Sequence, residues 1–122
     1  MGIHVIVTGG RHYKDRTRLY SILDFIHKNA GIELLNHGGA KGADTLADEW
    51  AQFRGVSTCV HHADWKGRGP GAGPYRNQNM VDHGADFAIA FPGGKGTKDC
   101  VFRIRRANIA LFEVPYDVAP RS

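Results

Sequence analysis

The sequence IHVIVTGGR at Ile3–Arg11 joins an apolar run to a pair of glycines and a basic residue. A continuous apolar run of this length, bounded by small residues, is typical of a strand that is buried on both faces of a parallel sheet. Similar runs recur at Ile32–Asn36, Val56–Val60, Phe87–Phe91 and Ala110–Val114. The intervals between these runs are long enough for helices, so the sequence predicts an α/β fold with a mostly parallel sheet of about five strands.

The segments between the apolar runs carry helical patterns and one irregular stretch. Apolar residues at helical spacing predict a helix over Arg16–Asn29 with Asp15 as its N-cap, a second helix that ends near Gly55, and a final helix after the last glycine cluster. The stretch His62–Tyr75 contains four glycines and two prolines. Such a composition predicts a long loop, which a short helix over Arg76–His83 would follow.

Length and composition predict one soluble domain. At 122 residues, of which 42% are hydrophobic, the chain is long enough for one continuous core. We therefore expect one domain over residues 1–118 and a loose tail over residues 119–122. No apolar run is long enough to span a bilayer, and the first residues lack the layout of a secretory signal, so a cytoplasmic protein without membrane contact is expected.

Cysteine usage and net charge limit the kinds of function that are expected of this chain. Cys59 and Cys100 lie far apart in apolar surroundings and without Cys-x-x-Cys spacing, which favours buried free thiols over a redox or zinc pair. The formal net charge of +4 favours anionic partners. Nucleotide phosphates, nucleic acid and acidic protein surfaces all meet that description.

Three turns share one design, in which a buried strand ends in small residues and a helix follows. They are Thr8–Arg11, His37–Gly42 and Pro92–Thr97, and they carry the basic residues Arg11, Lys41 and Lys95. Glycine allows the backbone N–H groups to approach an anion closely, and a helix N-terminus adds unsatisfied donors. Because ligands of open α/β folds bind at the carboxyl ends of the strands, three such turns favour a phosphate site. For any single turn, the alternative is that its glycines only form a tight connection.

These turns do not match the common nucleotide-binding motifs. The sequence has no G-x-G-x-x-G pattern and no Walker A spacing, which disfavours an ordinary dehydrogenase or P-loop NTPase.

Several side chains near the turns have two interpretations each. Asp44 follows Gly42 in the first turn of a helix, where a carboxylate either caps the backbone or contacts a ribose or base. Trp65 either stacks on a base or fills the core beneath the glycine-rich stretch, and Asp64 could bind a ribose or act as a base. Arg76 is suited to a bidentate clamp on phosphate.

The histidines are weaker candidates. His37 precedes a glycine pair and could contact a ligand, although a histidine that closes a buried strand is more often a satisfied core residue. His61, His62 and Asp64 could be imagined as metal ligands. Adjacent histidines on a strand point to opposite faces, so no metal site is expected, and no cofactor is predicted.

The order of the motifs resembles one known family. The motifs are Val7–Arg11, His37–Asp44, Ala63–Trp65, Gly73–Asn77 and Ala90–Thr97. Together they resemble the YspA/YpsA-related branch of the SLOG superfamily, formerly the uncharacterised DUF2493 family, over nearly the whole chain. The resemblance implies a single Rossmann-like domain of three layers that binds nucleotides or nucleotide-derived ligands, and a homo-oligomer. The superfamily includes the LOG cytokinin phosphoribohydrolases and a DprA-like DNA-binding branch, and small members of this branch occur in phages.

The resemblance to the LOG hydrolases is incomplete. In those enzymes a Pro-Gly-Gly-x-Gly-Thr turn, here Pro92–Thr97, is followed after two intervening residues by a glutamate, and an arginine from an Arg-Lys pair completes the site. The glutamate position holds Cys100, with Asp99 one residue earlier, and Arg76 is followed by Asn77. A thiol cannot simply replace a carboxylate that stabilises a cationic ribosyl centre, which argues against hydrolase activity by the LOG mechanism.

The leading hypothesis is a protein that binds a nucleotide-type ligand, either ADP-ribose-like or a cyclic nucleotide signal, as a sensor or as a sponge in phage anti-defence. The candidate ligand-binding residues are Gly9, Gly10, Arg11, His37, Gly38, Gly39, Lys41, Gly42, Asp44, Asp64, Trp65, Arg76, Asn77, Pro92, Gly93, Gly94, Lys95, Gly96 and Thr97. The alternative is a LOG-like phosphoribohydrolase or N-glycosidase with Arg76, Asp64 and Asp99 as catalytic residues. A third hypothesis is single-stranded nucleic-acid binding through the basic segment Arg103–Arg106.

Overall fold

The computed structural model describes residues 2–116, in which five strands alternate with helices. In chain order the elements are β1 (Ile3–Thr8), α1 (Arg16–Ala30), β2 (Ile32–His37), α2 (Ala43–Arg54), β3 (Ser57–Val60), α3 (Trp65–Arg68), a 3-10 turn (Gly69–Gly71), α4 (Ala72–His83), β4 (Phe87–Ala90), α5 (Lys95–Arg106) and β5 (Ala110–Glu113). The predicted strands are confirmed to within one residue at either end.

The five strands form one sheet in the order β3-β2-β1-β4-β5, and every neighbouring pair is parallel. The prediction of a mostly parallel sheet of about five strands is therefore confirmed. From β1 the chain first builds the sheet toward β3, and it then returns to add β4 on the other side of β1. This reversal of strand order opens a crevice at the carboxyl ends of β1 and β4, where α/β proteins bind their ligands.

Helices cover both faces of the sheet, which gives the three layers of a Rossmann-like fold. Alternate residues of β1 point to opposite faces. Val5 and Val7 pack in one cluster with Trp50 of α2, whereas Ile6 packs in the other with Met80 of α4. All of these side chains are buried.

Local sequence signals set the ends of several helices. Asp15 caps α1, as predicted, because its carboxylate accepts a hydrogen bond of 3.0 Å from the N–H of Arg18. Gly31 ends the same helix with a φ of 72°, and Gly55 ends α2 in the left-handed conformation.

The prediction of a loop over His62–Tyr75 is wrong, because this stretch is largely helical. The Asp64 carboxylate accepts a hydrogen bond of 3.0 Å from the N–H of Gly67 and so starts α3. Pro74 is compatible with α4 because it lies in the first turn, where the missing N–H would have no partner in the helix. The helix therefore begins at Ala72, four residues before the predicted start.

Two further predictions concern the cysteines and the chain ends. Both cysteines are free thiols; Cys100 is buried as predicted, but Cys59 is only half-buried. Within residues 2–116, no helix has the length and apolar character needed to cross a bilayer. The predicted tail, residues 119–122, lies outside the described residues.

Candidate functional site

An open cleft of about 900 Å³ lies at the carboxyl ends of β1, β2 and β4. It lies at the crevice created by the reversal of strand order. Gly9 follows β1 in its floor, Gly38 follows β2, and Gly93 follows β4. The volume is typical of a small-molecule site.

The cleft brings together most of the residues that the sequence predicted. Those that line it are Gly9, Gly10, Arg11, Gly38, Asp44, Trp65, Arg76, Asn77, Gly93, Gly94, Lys95, Gly96, Thr97 and Asp99. Those that lie outside the lining are His37, Gly39, Lys41, Gly42, Asp64 and Pro92. The cleft therefore draws its lining from all three glycine-rich turns and from α4.

The turn after β1 is packed tightly between the other two turns. The N–H of Gly10 donates to the carbonyl of Pro92 at 2.9 Å, and the Gly10 carbonyl accepts from the N–H of Ala43 at 3.1 Å. A methyl group on Gly10 would lie 2.9 Å from the Cα of Gly93, and one on Gly9 would lie 2.5 Å from the Cβ of Ala43. These glycines are needed for the close approach of one backbone turn to another.

The turn before α2 is organised by the buried carboxylate of Asp44. Asp44 Oδ2 accepts hydrogen bonds from the N–H groups of Gly38, at 3.1 Å, and Ala40, at 3.2 Å. Asp44 therefore bonds to the backbone of the turn, while α2 itself, whose N-cap residue is Gly42, has no side-chain cap. The other oxygen, Oδ1, is buried and has no hydrogen-bond partner among the described residues. Burial is the main cause that raises the pKa of Asp44, against the hydrogen bonds and the charges of His37 and Arg76.

The turn before α5 is open. Gly94 is the N-cap residue of α5, and no side chain of residues 2–116 caps this helix end. Methyl groups on Gly94 and Gly96 would meet no described atom within 4 Å, so their backbone is accessible from the cleft. The exposed side chain of Lys95 lies at the same helix end. An uncapped helix N-terminus beside a lysine attracts an anion.

One wall of the cleft is a hydrogen-bonded chain from α4. Arg76 donates to the carbonyl of Gly38 and to Asn77 Oδ1, and Asn77 Nδ2 donates to Asp99 Oδ2 at 3.0 Å. Asp99 also pairs with Arg103 at 2.9 Å. Burial opposes ionisation of Asp99, but the hydrogen bonds from Arg103 and Asn77 outweigh it and lower its pKa. Asp99 is thus a carboxylate in the wall, with both oxygens occupied.

The rim of the cleft carries aromatic side chains on and beside α3. Trp65 is 55% exposed and lines the cleft, so the alternative prediction that it fills the core is wrong. Its ring lies against Gly73, where a Cβ would approach to 3.2 Å. The Arg68 guanidinium lies 3.4 Å from the ring centre of Tyr75, and this contact ties α3 to α4.

His37 faces away from the cleft, into a shallower groove of about 640 Å³ beside α2. Its Nδ1 accepts the N–H of Gly39 at 3.0 Å, so its Nε2 carries the proton and donates to Asp48 Oδ2 at 2.6 Å. The structure therefore agrees with the alternative that His37 is a satisfied core residue.

Comparisons with known proteins identify the family of the chain. The sequence model of the YspA, cpYpsA-related SLOG family matches residues 3–67, which is just over half of the chain. The chain belongs to this SLOG family. It is also 41% identical, over 116 residues, to the Gene 61 protein of Mycobacterium phage D29. The aligned region covers 88% of this chain and 93% of that protein. No solved structure matches the chain significantly.

The family match confirms the resemblance that the motifs indicated. It includes the turns after β1 and β2, while the turn before α5 and the wall from α4 lie beyond the matched residues. The site as a whole is therefore described by the geometry of this chain. The name of the phage relative states no function.

Within this SLOG domain, Cys100 is a core residue. It is buried and packs with Ile6 and Met80 on the sheet face that α4 and α5 cover. Burial raises the pKa of its thiol to about 11, so it is neutral at physiological pH. It does not line the cleft, and Cys100 is therefore not a substitute for the glutamate of the LOG hydrolases.

The cleft also has lining residues that were not among the predicted site residues of this SLOG chain. They are Thr8, His12, Tyr13, Ala40, Gly73, Pro74, Met80 and Tyr116. Helical spacing could have found Met80, which lies three residues after Asn77 on α4. Tyr116 gave no such signal, because it reaches the turn before α5 through a hydrogen bond of 3.1 Å from its hydroxyl to the Gly93 carbonyl.

The other candidate residues are used within the protein. His61 contacts Asn36 Oδ1 at 3.0 Å, and residues 2–116 contain no cluster of three or more potential metal ligands. In the basic segment of α5, Arg103 pairs with Asp99, while Arg105 pairs with Glu113. These ion pairs neutralise part of the charge that a nucleic-acid interface would need.

Proposed function

We propose that this protein binds a nucleotide or nucleotide-derived ligand in the cleft, with a phosphate group at the N-terminus of α5. The observation that carries the proposal is the uncapped helix end at Gly94, which opens into a cleft at the reversal of strand order. Backbone N–H groups and the helix dipole together make such an end a phosphate site. Membership of the SLOG family supports a nucleotide-related function.

The charged side chains support one orientation of the ligand. Arg11 and Lys95 are exposed cations in the lining, and they would neutralise the phosphate. Asp44 occupies the turn before α2 with its own carboxylate, which would repel a phosphate whenever it is ionised. The nucleoside part therefore belongs away from the N-terminus of α5, and Trp65 in the cleft lining would stack on the base.

Within this class, the proposed ligand is ADP-ribose-like or a cyclic nucleotide signal, and the protein acts as a sensor or as a sponge. A sponge holds the signal without consuming it, which suits a cleft whose buried Cys100 leaves out the glutamate of the LOG hydrolases. Because a relative occurs in Mycobacterium phage D29, phage anti-defence is the proposed setting for such a sponge.

The test is native mass spectrometry of the protein with AMP, ADP-ribose, NAD, cyclic ADP-ribose isomers and cyclic dinucleotides. We expect stoichiometric retention of at least one of them, and recovery of the intact compound after denaturation. The same spectra report the oligomeric state, which we propose to be a homo-oligomer. Retention of no nucleotide would contradict the proposal.

Two lysine variants in α5 test whether the phosphate binds at the N-terminus of this helix. Lys95→Ala should weaken binding of the retained nucleotide about tenfold, because a charge-assisted hydrogen bond contributes about 1.5–3 kcal/mol. Lys98→Ala is the matched control, since Lys98 is also an exposed lysine of α5 but does not line the cleft. Equal effects of the two variants would argue for general charge attraction in place of a site at this helix end.

A second candidate function is cleavage of an N-glycosidic or phosphoribosyl bond. It is favoured by one observation, the carboxylate of Asp99 in the wall beside Arg76 and Asn77. A carboxylate there would stabilise a cationic ribosyl centre. Asp64, the other candidate, caps α3 outside the cleft lining. Chromatography of the nucleotide after incubation with the protein tests this function. Release of the base by the parent protein, but not by Asp99→Asn, would establish an enzyme. Recovery of unchanged nucleotide would exclude this function.

A further inference from the structure

Asp44 is the one buried carboxyl group in the cleft lining with an unused oxygen among the described residues. The residue is 5% exposed, and its Oδ2 already accepts the N–H groups of Gly38 and Ala40. Its Oδ1 has no partner within residues 2–116. A buried polar atom without a partner is unfavourable, so a ligand group that forms a hydrogen bond to it is favoured.

The chemistry of this oxygen selects the group that it can bind. An ionised carboxylate only accepts hydrogen bonds, and a protonated one can also donate, so a hydroxyl group suits both states. A phosphate oxygen would suit only the protonated state. Burial raises the pKa of Asp44, and a hydroxyl partner fits the carboxyl group in either protonation state. Among the sugar and phosphate groups of a nucleotide, a hydroxyl is thus the group that fits Asp44 in both states.

The position of Asp44 relates this hydroxyl to the phosphate site. The helix that carries Asp44 and the turn that carries Gly93 both pack directly on Gly9 and Gly10. Asp44 and the turn before α5 therefore line the same cleft next to the same β1 turn. A ribose that carries a phosphate has hydroxyl groups and a phosphate in one small group, so a single ligand can contact both.

We infer that Asp44 is a specificity-determining residue that binds a ribose hydroxyl, so that the cleft selects ribonucleotides over deoxyribonucleotides. The inference rests on the proposed nucleotide function and adds the class of sugar. It also bears on the nucleic-acid hypothesis, because a cleft with this selectivity rejects single-stranded DNA.

Calorimetric titration with matched sugars tests the inference on the unmodified protein. The probes are AMP and ADP-ribose, each beside the analogues that lack the 2′- or 3′-hydroxyl of the adenosine ribose, and ADP, which lacks the terminal ribose. We expect removal of at least one hydroxyl, or of the terminal ribose, to weaken binding at least tenfold. Equal affinities across each series would overturn the inference and leave the proposed function intact. Binding of none of the probes would overturn the inference, while retention of a cyclic nucleotide in the native mass spectra would still support the proposed function.

A matched pair of variants assigns the selectivity to Asp44. Asp44→Asn keeps an oxygen for the N–H groups of Gly38 and Ala40 but replaces Oδ1 by an uncharged amide group, so the preference should fall to about threefold or less. Asp48→Asn makes the same change one turn later on α2, on the side that faces His37, and should keep the full preference. Equal preferences in the two variants would overturn the role of Asp44. The ligand series on the unmodified chain needs no variant, so it decides the selectivity even if Asp44→Asn does not fold.

Discussion

The turn before α2 and the turn before α5 have similar sequences but opposite chemistry. Both follow a buried strand, contain a glycine pair and a lysine, and lead into a helix. In the first, Asp44 accepts the backbone N–H groups, so the protein itself provides the anion. Neither α2 nor α5 has a side-chain cap, but Gly42 is packed against the β1 turn, whereas the Cβ positions of Gly94 and Gly96 have no described atom within 4 Å. A glycine-rich turn is therefore an anion site only when the chain has not already satisfied its donors.

Among variants of the two turns, Gly42→Ala is expected to have the largest effect, which is a loss of folding stability. The added methyl group would lie 2.6 Å from the carbonyl carbon of Arg11, and the φ of Gly42 is 78°. A left-handed backbone costs alanine about 1–2 kcal/mol and overpacking about 1–3 kcal/mol, so the free energy of unfolding in urea should fall by about 2–5 kcal/mol. Gly55→Ala is the control, because Gly55 has a φ of 69° but no described atom within 4 Å of its Cβ position. If both variants lose the same stability, the turn before α2 does not pack on the β1 turn.

A smaller loss is expected when the internal anion is removed. Asp44→Ala leaves the buried N–H of Gly38 and the N–H of Ala40 without their acceptor. The free energy of unfolding should fall by about 1–3 kcal/mol. Asp44→Asn retains an acceptor oxygen and should lose less than half as much in the same urea experiment. Equal stability of Asp44→Ala and the unmodified chain would mean that water satisfies these donors, and that the turn before α2 is as open as the other.

At the open turn, Gly96→Ala should change stability and binding in opposite directions. Gly96 lies in α5, and its Cβ position has no described neighbour within 4 Å. Alanine in a helix is favoured over glycine by about 0.5–1 kcal/mol, so the variant should be as stable as the parent or slightly more stable. Its methyl group projects into the cleft, so calorimetry should show about tenfold weaker binding of the nucleotide that the parent retains. Unchanged affinity would place the phosphate away from this helix end.

The smallest effect concerns pH. Burial raises the pKa of Asp44 above its ordinary value of 3.8, while the charges of His37 and Arg76 oppose the shift. Above 3.8 the unfolded chain loses the proton that the folded chain retains, so folding becomes less favourable until the folded-state pKa is reached. Asn does not titrate. The stability of the parent relative to Asp44→Asn should therefore decline as the pH rises from 3.8, in parallel urea series. A difference that stays flat would show that Asp44 ionises normally.

Much of the fold could be predicted because its signals are local. The apolar runs and glycine-rich turns located every strand to within one residue, and Asp15 correctly marked the start of α1. The stretch His62–Tyr75 was misread because glycine and proline content outweighed the cap at Asp64 and the tolerance of Pro74 in a first helical turn.

By itself, the sequence determined the alternation of strands and helices and the three glycine-rich turns, because hydrophobic periodicity and turn chemistry act between near neighbours. Tertiary packing alone settles which turn is open, that one buried oxygen of Asp44 has no partner among the described residues, and that Cys100 lies outside the cleft lining. These properties depend on segments that are distant in the chain, such as Gly10 bonded to Pro92. The packing of those segments sets the burial and the partners of each polar group, and no local pattern records it.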